Sequence, residues 1–359
     1  LIKSEIVESA EPLREEWQEL VEGSDLATPF QSWEWQSLWL KHYGAGKTSK
    51  ILTLREGQDL VGIAPFVQTN LPWKTLRWAG GGPSDYLHPI ARTGHESHVA
   101  SEVIEFLAST KVDLIDLHQI RETQPILSQI ATSHKNHPSQ QIDLGGCLVL
   151  SLPKRYDDYL KTLSKSLRYD VRKLDKEMFA SGRATIQNVT LENVGHGFQL
   201  FLDQHRARWR ARKLPGAFLG ASLRFHRDWV QTASQNGWLR LQILRIEGEP
   251  AGAIYAMRFH QTLYYYQAGF DPNFRHLSPG SLLVANAIRQ GIEEGAQVFD
   301  FMRGAEPYKR RWKPQDEYHN LRVLISRGTL AGDQGLRWNR LASRVEMKVR
   351  SRLEGATGS

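Results

Sequence analysis

The stretch LRLQILRIEGEPAGAIYAMRFHQTLYYYQAG, residues 239–269, carries the clearest structural signal in the chain. It holds three runs of strand formers: Leu239 to Ile246, Ala251 to Phe259 and Thr262 to Gly269. They are parted only by Glu247-Gly248-Glu249-Pro250 and by His260-Gln261. Connections this short leave no room for a crossover helix, so the three strands pair antiparallel. A polar loop follows, then a helix from about Pro279 to Glu294 and a strand from Gln297 to Met302. Upstream, a long helix spans roughly Lys154 to Ala180 and is closed by Gly182. Two more helices surround Phe198 to Arg210 and Leu223 to Ser234. A strand from Leu321 to Ser326 and a basic helix from Leu336 end the chain.

The residues before about Leu150 repeat this pattern. Helices are expected over Glu11 to Glu22 and Trp33 to Tyr43, and a hairpin joins Lys50 to Arg55 with Leu60 to Val67 through Glu56-Gly57. Strand Thr75 to Ala79 runs into Gly80-Gly81-Gly82-Pro83, followed by helix Glu96 to Leu107 and strand Val112 to Leu117. Two segments match in the same order. Leu54-Arg55-Glu56-Gly57 with Val61-Gly62-Ile63 parallels Leu244 to Gly248 with Ala251-Gly252-Ala253, and Leu114 to Leu117 parallels Val298 to Phe301. This predicts a duplicated α/β unit, with lobes at 1–150 and 151–332 and a tail at 333–359.

The 359 residues, 40% hydrophobic and 24% charged, suit a two-domain globular chain. No run reaches the ~18 apolar residues of a membrane span, and no signal peptide is visible. A single cysteine, Cys147, excludes an intramolecular disulfide and points to a reducing cytoplasm. The net charge of +7 suits anionic partners, whether CoA phosphates, nucleotide-linked sugars, RNA or an acidic membrane surface, and does not choose among them. Trp33, Trp35 and Trp39 fit either core or a sugar-stacking surface.

Candidate chemistry concentrates after the three strands. At Arg275-His276-Leu277-Ser278-Pro279-Gly280-Ser281 a helix opens, with Ser278 as N-cap, and such an end favours an anion such as a CoA pyrophosphate. The strand Val298 to Arg303 places Asp300 among apolar residues, so Asp300 needs a partner or a task. Glu306, Tyr308 and Lys309 follow it, and they can supply a base, a proton donor and a positive charge. Lys161, Lys165, Arg168, Arg172 and Lys176 recur at helical spacing, as a phosphate groove or as a solvated face. The basic, aromatic segment His205 to Gly216 adjoins them. Asp85 and Tyr86 lie on the glycine-rich loop, where an acceptor could be held. His95-x-x-His98 and His134-x-x-His137 lack further ligands and are read as surface histidines, so no metal is expected.

Together these residues resemble the CelD/BcsL-type, cellulose-biosynthesis-associated acetyltransferases of the GNAT superfamily, and more distantly the Fem-type aminoacyl transferases. The segments that carry the likeness are Phe30 to Trp35, Leu163 to Arg172, His205 to Phe218, Ser278 to Leu283 and Phe299 to Lys309. The resemblance implies two tandem GNAT-like lobes, each a mixed, mostly antiparallel sheet flanked by helices. It implies transfer of an acyl group, acetyl or another, from acyl-CoA to an amine or hydroxyl of a sugar or of a cell-envelope or exopolysaccharide precursor. In that reading Arg275 and Ser278 to Ser281 hold the donor. Asp300, Glu306, Tyr308 and Lys309 form the catalytic set, and Asp85, Tyr86, Arg168, Arg172, Tyr265, Gln267 and Arg303 bind the anionic or glycan acceptor. Two alternatives stay open: a Fem-like aminoacyl-tRNA-dependent transferase, although nucleic acid is not the expected partner, and a non-catalytic scaffold of polysaccharide synthesis. In the tail, Arg337, Arg340, Arg344 and Lys348 form one face beside Trp338, Leu341 and Val345. That pattern fits a helix docked on the second lobe, or one in peripheral contact with the inner face of the membrane.

Overall fold

The computed structural model describes residues 2–133, 135, 137–211, 213–214 and 216–355, with side chains as far as 342. The chain forms two compact units, Leu1–Leu144 with His319–Ser359, and Gly145–Tyr318. The first unit holds β1 (Ile2–Val7), α1 (Arg14–Glu22), α2 (Trp33–Tyr43), β2 (Thr48–Glu56), β3 (Asp59–Thr69) and β4 (Thr75–Trp78). It continues with β5 (Ile90–Ala91), α3 (Glu96–Ser109), β6 (Leu114–Arg121) and α4 (Pro125–Ser133). Strand β7 (Ser139–Ser151) carries the chain into the second unit, to α5 (Tyr156–Thr162), α6 (Lys165–Leu174), β8 (Ala184–Asn188), α7 (Val194–Ala211) and α8 (Gly220–Gln235). There follow β9 (Leu239–Ile246), β10 (Glu249–Phe259), β11 (Thr262–Phe270), α9 (Pro279–Glu293), β12 (Val298–Arg303) and α10 (Pro307–Arg310). Strand β13 (Asp316–Ser326) and α11 (Leu330–Gly355) return it to the first unit.

The units therefore differ from the lobes expected at 1–150, 151–332 and 333–359. Strand β13 pairs antiparallel with β6, from Asn320↔Arg121 to Ser326↔Leu114. Leu336 of α11 packs with Leu114 and Leu324. Ladder hydrogen bonds and apolar burial thus tie the C-terminal segment to the first unit, a partner about 200 residues earlier that no local pattern reveals. The helix expected over 154–180 is also broken. Ser164 accepts from the Leu167 amide and caps a new helix, α6, and residues Asp175–Ala180 form a π-helical turn. Lys161 therefore lies on α5, apart from the rest of its expected stripe.

Both units show the same order. The first runs β1-β2-β3-β4-β6 and the second β8-β9-β10-β11-β12. In each, the pairs are antiparallel except the last, β4 with β6 and β11 with β12, which is parallel. The duplication extends to single residues. Leu54↔Gly62 is followed by a bulge in β2–β3, and Leu244↔Gly252 adjoins a bulge in β9–β10. A Cβ on Gly62 would stand 2.5 Å from Val99 of α3, and one on Gly252 would stand 3.0 Å from Leu283 of α9. Each glycine lets the crossover helix settle on its hairpin. Val99 is β-branched and stiff, whereas the Leu283 methyl can yield, leaving the Gly269 carbonyl at 3.2 Å as a tight but longer approach. Gly62→Ala is thus expected to cost ~1–3 kcal/mol and Gly252→Ala less, as urea midpoints of the two variants will show.

In the second unit Ile254 and Ala256 face a core shared with Leu282, Leu283 and Phe299. Tyr255, one step along the strand, faces the other side, against Phe198, Phe201 and His226 of α7 and α8. In the first unit Val99, Val103 and Leu107 of α3 cover one face of the sheet. Trp33, Trp35 and Trp39 are all buried, which assigns them to core rather than to a sugar-stacking surface.

Candidate active site

The parallel register of β11 and β12 runs only from Thr262↔Val298 to Tyr264↔Asp300, although β11 continues to Phe270 and β12 to Arg303. Beyond that pair the strands part, and backbone groups on the facing edges lose their ladder partners. The first unit repeats the feature: β4 and β6 end their register at Arg77↔Asp116. The two matched aspartates differ in use. Asp116 is clamped by Arg77 at 3.0 Å and by Arg322 at 2.7 and 2.8 Å. Burial opposes its charge, but the bond and charge of Arg322, with Arg77, prevail and hold its carboxyl below the usual range. Asp300 accepts from the Met302 amide at 2.7 Å and supports Met302 at a φ of +57°. The carboxylate thus shapes the end of β12, a structural partner for a residue expected to act in catalysis.

Side chains gather where β11 and β12 diverge. Arg208 of α7 donates through Nη1 to the Ala268 carbonyl at 2.9 Å and lies 5.6 Å from the Phe270 ring centre. The Tyr308 hydroxyl of α10 donates to that of Tyr265 at 3.5 Å. Burial, followed by the neighbouring Tyr265 and Glu306, holds the Tyr308 phenol well above the usual tyrosine range. Burial likewise raises Tyr265. Both therefore remain protonated at neutral pH. Glu306, half-exposed, sits at the N-cap of α10, 3.0 Å from Lys309 Nζ. Lys309 is buried, and its ammonium also donates to the carbonyls of Phe301, Arg303 and Gly304 at 3.0, 3.1 and 2.8 Å. With its donors committed in this way, Lys309 fixes the turn that carries Glu306 and Tyr308.

Tyr265 and Gln267, two apart on one strand, are expected on one face, but the register jumps between them. Ala256 pairs with Tyr265 and Tyr255 with Gln267, so Tyr266 is an extra residue. The bulge leaves Tyr265 with the α9 core and turns Gln267 to the Tyr255 side, so the two do not form one acceptor patch. On that second side His226 Nε2 lies 3.1 Å from the Tyr266 hydroxyl and Nδ1 3.3 Å from that of Tyr255. The sequence signals neither the bulge nor the reach of Arg208, apart from the basic segment in which Arg208 falls.

The helix start after β11 departs from its expected form. Ser278 stands at the N-cap position of α9 with φ +54° and ψ +49°, and its side chain caps nothing. The Ser281 and Leu282 amides donate back to the Ser278 carbonyl, and Pro279 has no N–H, which leaves Gly280 as the amide able to meet a ligand in that turn. A Cβ on Gly280 would meet nothing within 4 Å. Arg275 and His276 are exposed just before it. A shallow cleft between α6 and α9 opens beside Ser281, where Arg289 is held by Asp175 at 2.9 Å.

Arg172 is exposed on α6, and Arg168 spends a donor on the Lys161 carbonyl at 3.4 Å. Arg311 reaches Asp170 at 3.8 Å, which places α6 beside the α10 turn. The side chain of Arg303 is exposed at the end of β12. Asp85 and Tyr86 belong to the first unit, and the glycine-rich loop there is packed rather than open. Trp39 donates to the Gly81 carbonyl and Trp35 to Ser84, both at 2.8 Å. Tyr86 is 1% exposed beneath Arg121, and the Asp85 carbonyl accepts from Asn320. An aromatic core thus consumes the loop expected to hold an acceptor. His98 is exposed and His95 half-buried, His134 lies outside the described residues, and no metal-ligand cluster occurs among the described residues.

Residues 165–310 match the family model for an acetyltransferase (GNAT) domain, the family to which CelD/BcsL proteins are related. None of the curated proteins matches the chain. Among solved structures it is similar to FemX, at 10% identity and a TM-score of 0.63, over 88% of this chain and 96% of that one. It is also similar to a tandem GNAT protein from the clavulanic acid biosynthesis pathway, at 10% identity and a TM-score of 0.52, covering 92% and 100%. L-PGS from Bacillus licheniformis matches at 13% identity and a TM-score of 0.54, covering 92% and 96%. The fold is thus the tandem GNAT architecture, and within it residues 165–310, all in the second unit, are similar to the acetyltransferase (GNAT) domain.

Proposed function

We propose that the second unit transfers an acyl group from acyl-CoA to an amine or hydroxyl of a sugar or of a cell-envelope precursor. One observation carries the reading: β11 and β12 part after Tyr264↔Asp300, and the helix start at Gly280 and the Tyr308–Tyr265 pair follow directly on the parting strands. Gly280, Arg275 and the α9 dipole suit the donor's pyrophosphate. Glu306 takes the proton of the attacking amine or hydroxyl, which forms a bond to the thioester carbon. The carbon–sulfur bond breaks, and Tyr308, kept protonated by burial, returns a proton to the leaving thiolate.

Hydrogen exchange with acetyl-CoA tests the donor site. Protection is expected over residues 275–285, and specific binding should raise the melting temperature. Gly280→Trp fills open space rather than a packed site, so its melting temperature without ligand should equal that of the parent. Its affinity for acetyl-CoA should fall by at least ~10-fold, because the indole would fill the space in front of the Gly280 amide that the pyrophosphate would occupy. Protection confined to the first unit would remove the assignment. No described helix is long and apolar enough to cross a membrane.

A further inference from the structure

Helix α11 uses one side for its own unit. A Cβ on Gly332 would fall 2.2 Å from the Asp113 carbonyl oxygen, and one on Gly335 would fall 3.2 Å from Trp73. Leu336 is 4% exposed, and Asn339 accepts from Arg322 at 2.8 Å. These positions, at steps of three, one and three, line a single helical face. The helix docks on the first unit, which overturns docking on the second. Trp338 and Leu341 fall on the other side and are 64% and 59% exposed. Arg337 and Arg340 flank them, both exposed. Between 336 and 352 the sequence places six basic residues against one acidic, and Val345 continues the apolar spacing.

We infer that this outer face of α11 is a docking surface for an anionic lipid bilayer. A large aromatic and a leucine left in water on a helix already anchored by its opposite face serve no packing purpose within the unit. Tryptophan favours the headgroup boundary, and arginines beside it meet anionic lipid, each attraction adding to shallow apolar burial. An RNA backbone would use the arginines but leave Leu341 without a partner.

Co-sedimentation of the full chain with vesicles tests this. Phosphatidylglycerol–phosphatidylcholine vesicles are expected to bind it, phosphatidylcholine vesicles to bind at least ~10-fold less, and raised salt to weaken the binding. Trp338→Ser with Leu341→Ser should reduce partitioning by a further ~10-fold while leaving the melting temperature unchanged, since neither side chain is buried. Equal partitioning of parent and variant overturns the inference. So does equal binding to both lipid compositions. Self-association that the two substitutions abolish, without vesicle binding, would assign the face to a second copy of the chain instead.

Discussion

Lowering the pH from 7 to 5 is expected to remove a large part of the protein's folding stability. His88 and His226 are fully enclosed, and burial pushes each imidazole down to about 3. Burial, with help from Arg208 and Arg206, pushes His205 down to about 4. In the folded chain all three stay neutral at pH 5, whereas in the unfolded chain each titrates near 6.5. The unfolded state therefore binds more protons, and the stability these groups contribute, complete above 6.5, is lost progressively as pH falls toward 4 for His205 and toward 3 for His88 and His226. Each costs about 2 kcal/mol at pH 5, so three cost about 6 kcal/mol, against the ~5–15 kcal/mol that a typical domain holds. The depressed carboxyl of Asp116 acts in the same direction at lower pH. Urea midpoints between pH 7.5 and 5 measure the effect. Burial also lowers His118, which adds to the same slope, so His226→Gln should remove at most about a third of it, whatever it does to stability at pH 7, because the slope counts protons. A flat profile in the parent would mean that these imidazoles accept protons in the folded state.

The second large effect concerns turnover. Tyr308→Phe and Glu306→Gln are each expected to lower kcat by ~10²–10⁴-fold, or about 3–5 kcal/mol in the barrier. The fold should tolerate both. Glu306 is 53% exposed at the side chain, and the phenol of Tyr308 makes one long bond, to Tyr265. Dissociation constants for acetyl-CoA should stay within about twofold, because neither group is placed at the pyrophosphate. Lys309→Met is a contrasting control: with three carbonyls left without their donor, it should lower the melting temperature along with activity. Near-parental kcat in both site variants would return Glu306 and Tyr308 to the turn that Lys309 organises. In that event the diverging strands would need another acid.

Most of the strands and the repetition of the α/β unit are legible from local pattern, whereas the single helix expected over 154–180 is not what forms. Connections of four and two residues made the three strands β9, β10 and β11 antiparallel, and Gly62 and Gly252 marked equivalent hairpins. Asp116 and Asp300, paired in the sequence pattern, prove to close the parallel register in each unit. These features follow from local chemistry: turn residues, side-chain period and glycine where backbones crowd. Tertiary structure alone decided where the chain divides, because strand β13 chooses its partner through ladder bonds to β6, far away in sequence. It decided that Tyr86 is core, since only the packed neighbours reveal that its loop is filled. It decided that Tyr265 and Gln267 part company, since one extra residue in β11 turns all later side chains to the opposite face. It also decided that Lys309 is a clamp rather than a free charge. A lysine's four-carbon reach lets it serve either role, and the three carbonyls that hold it are brought together only by the turn at the end of β12.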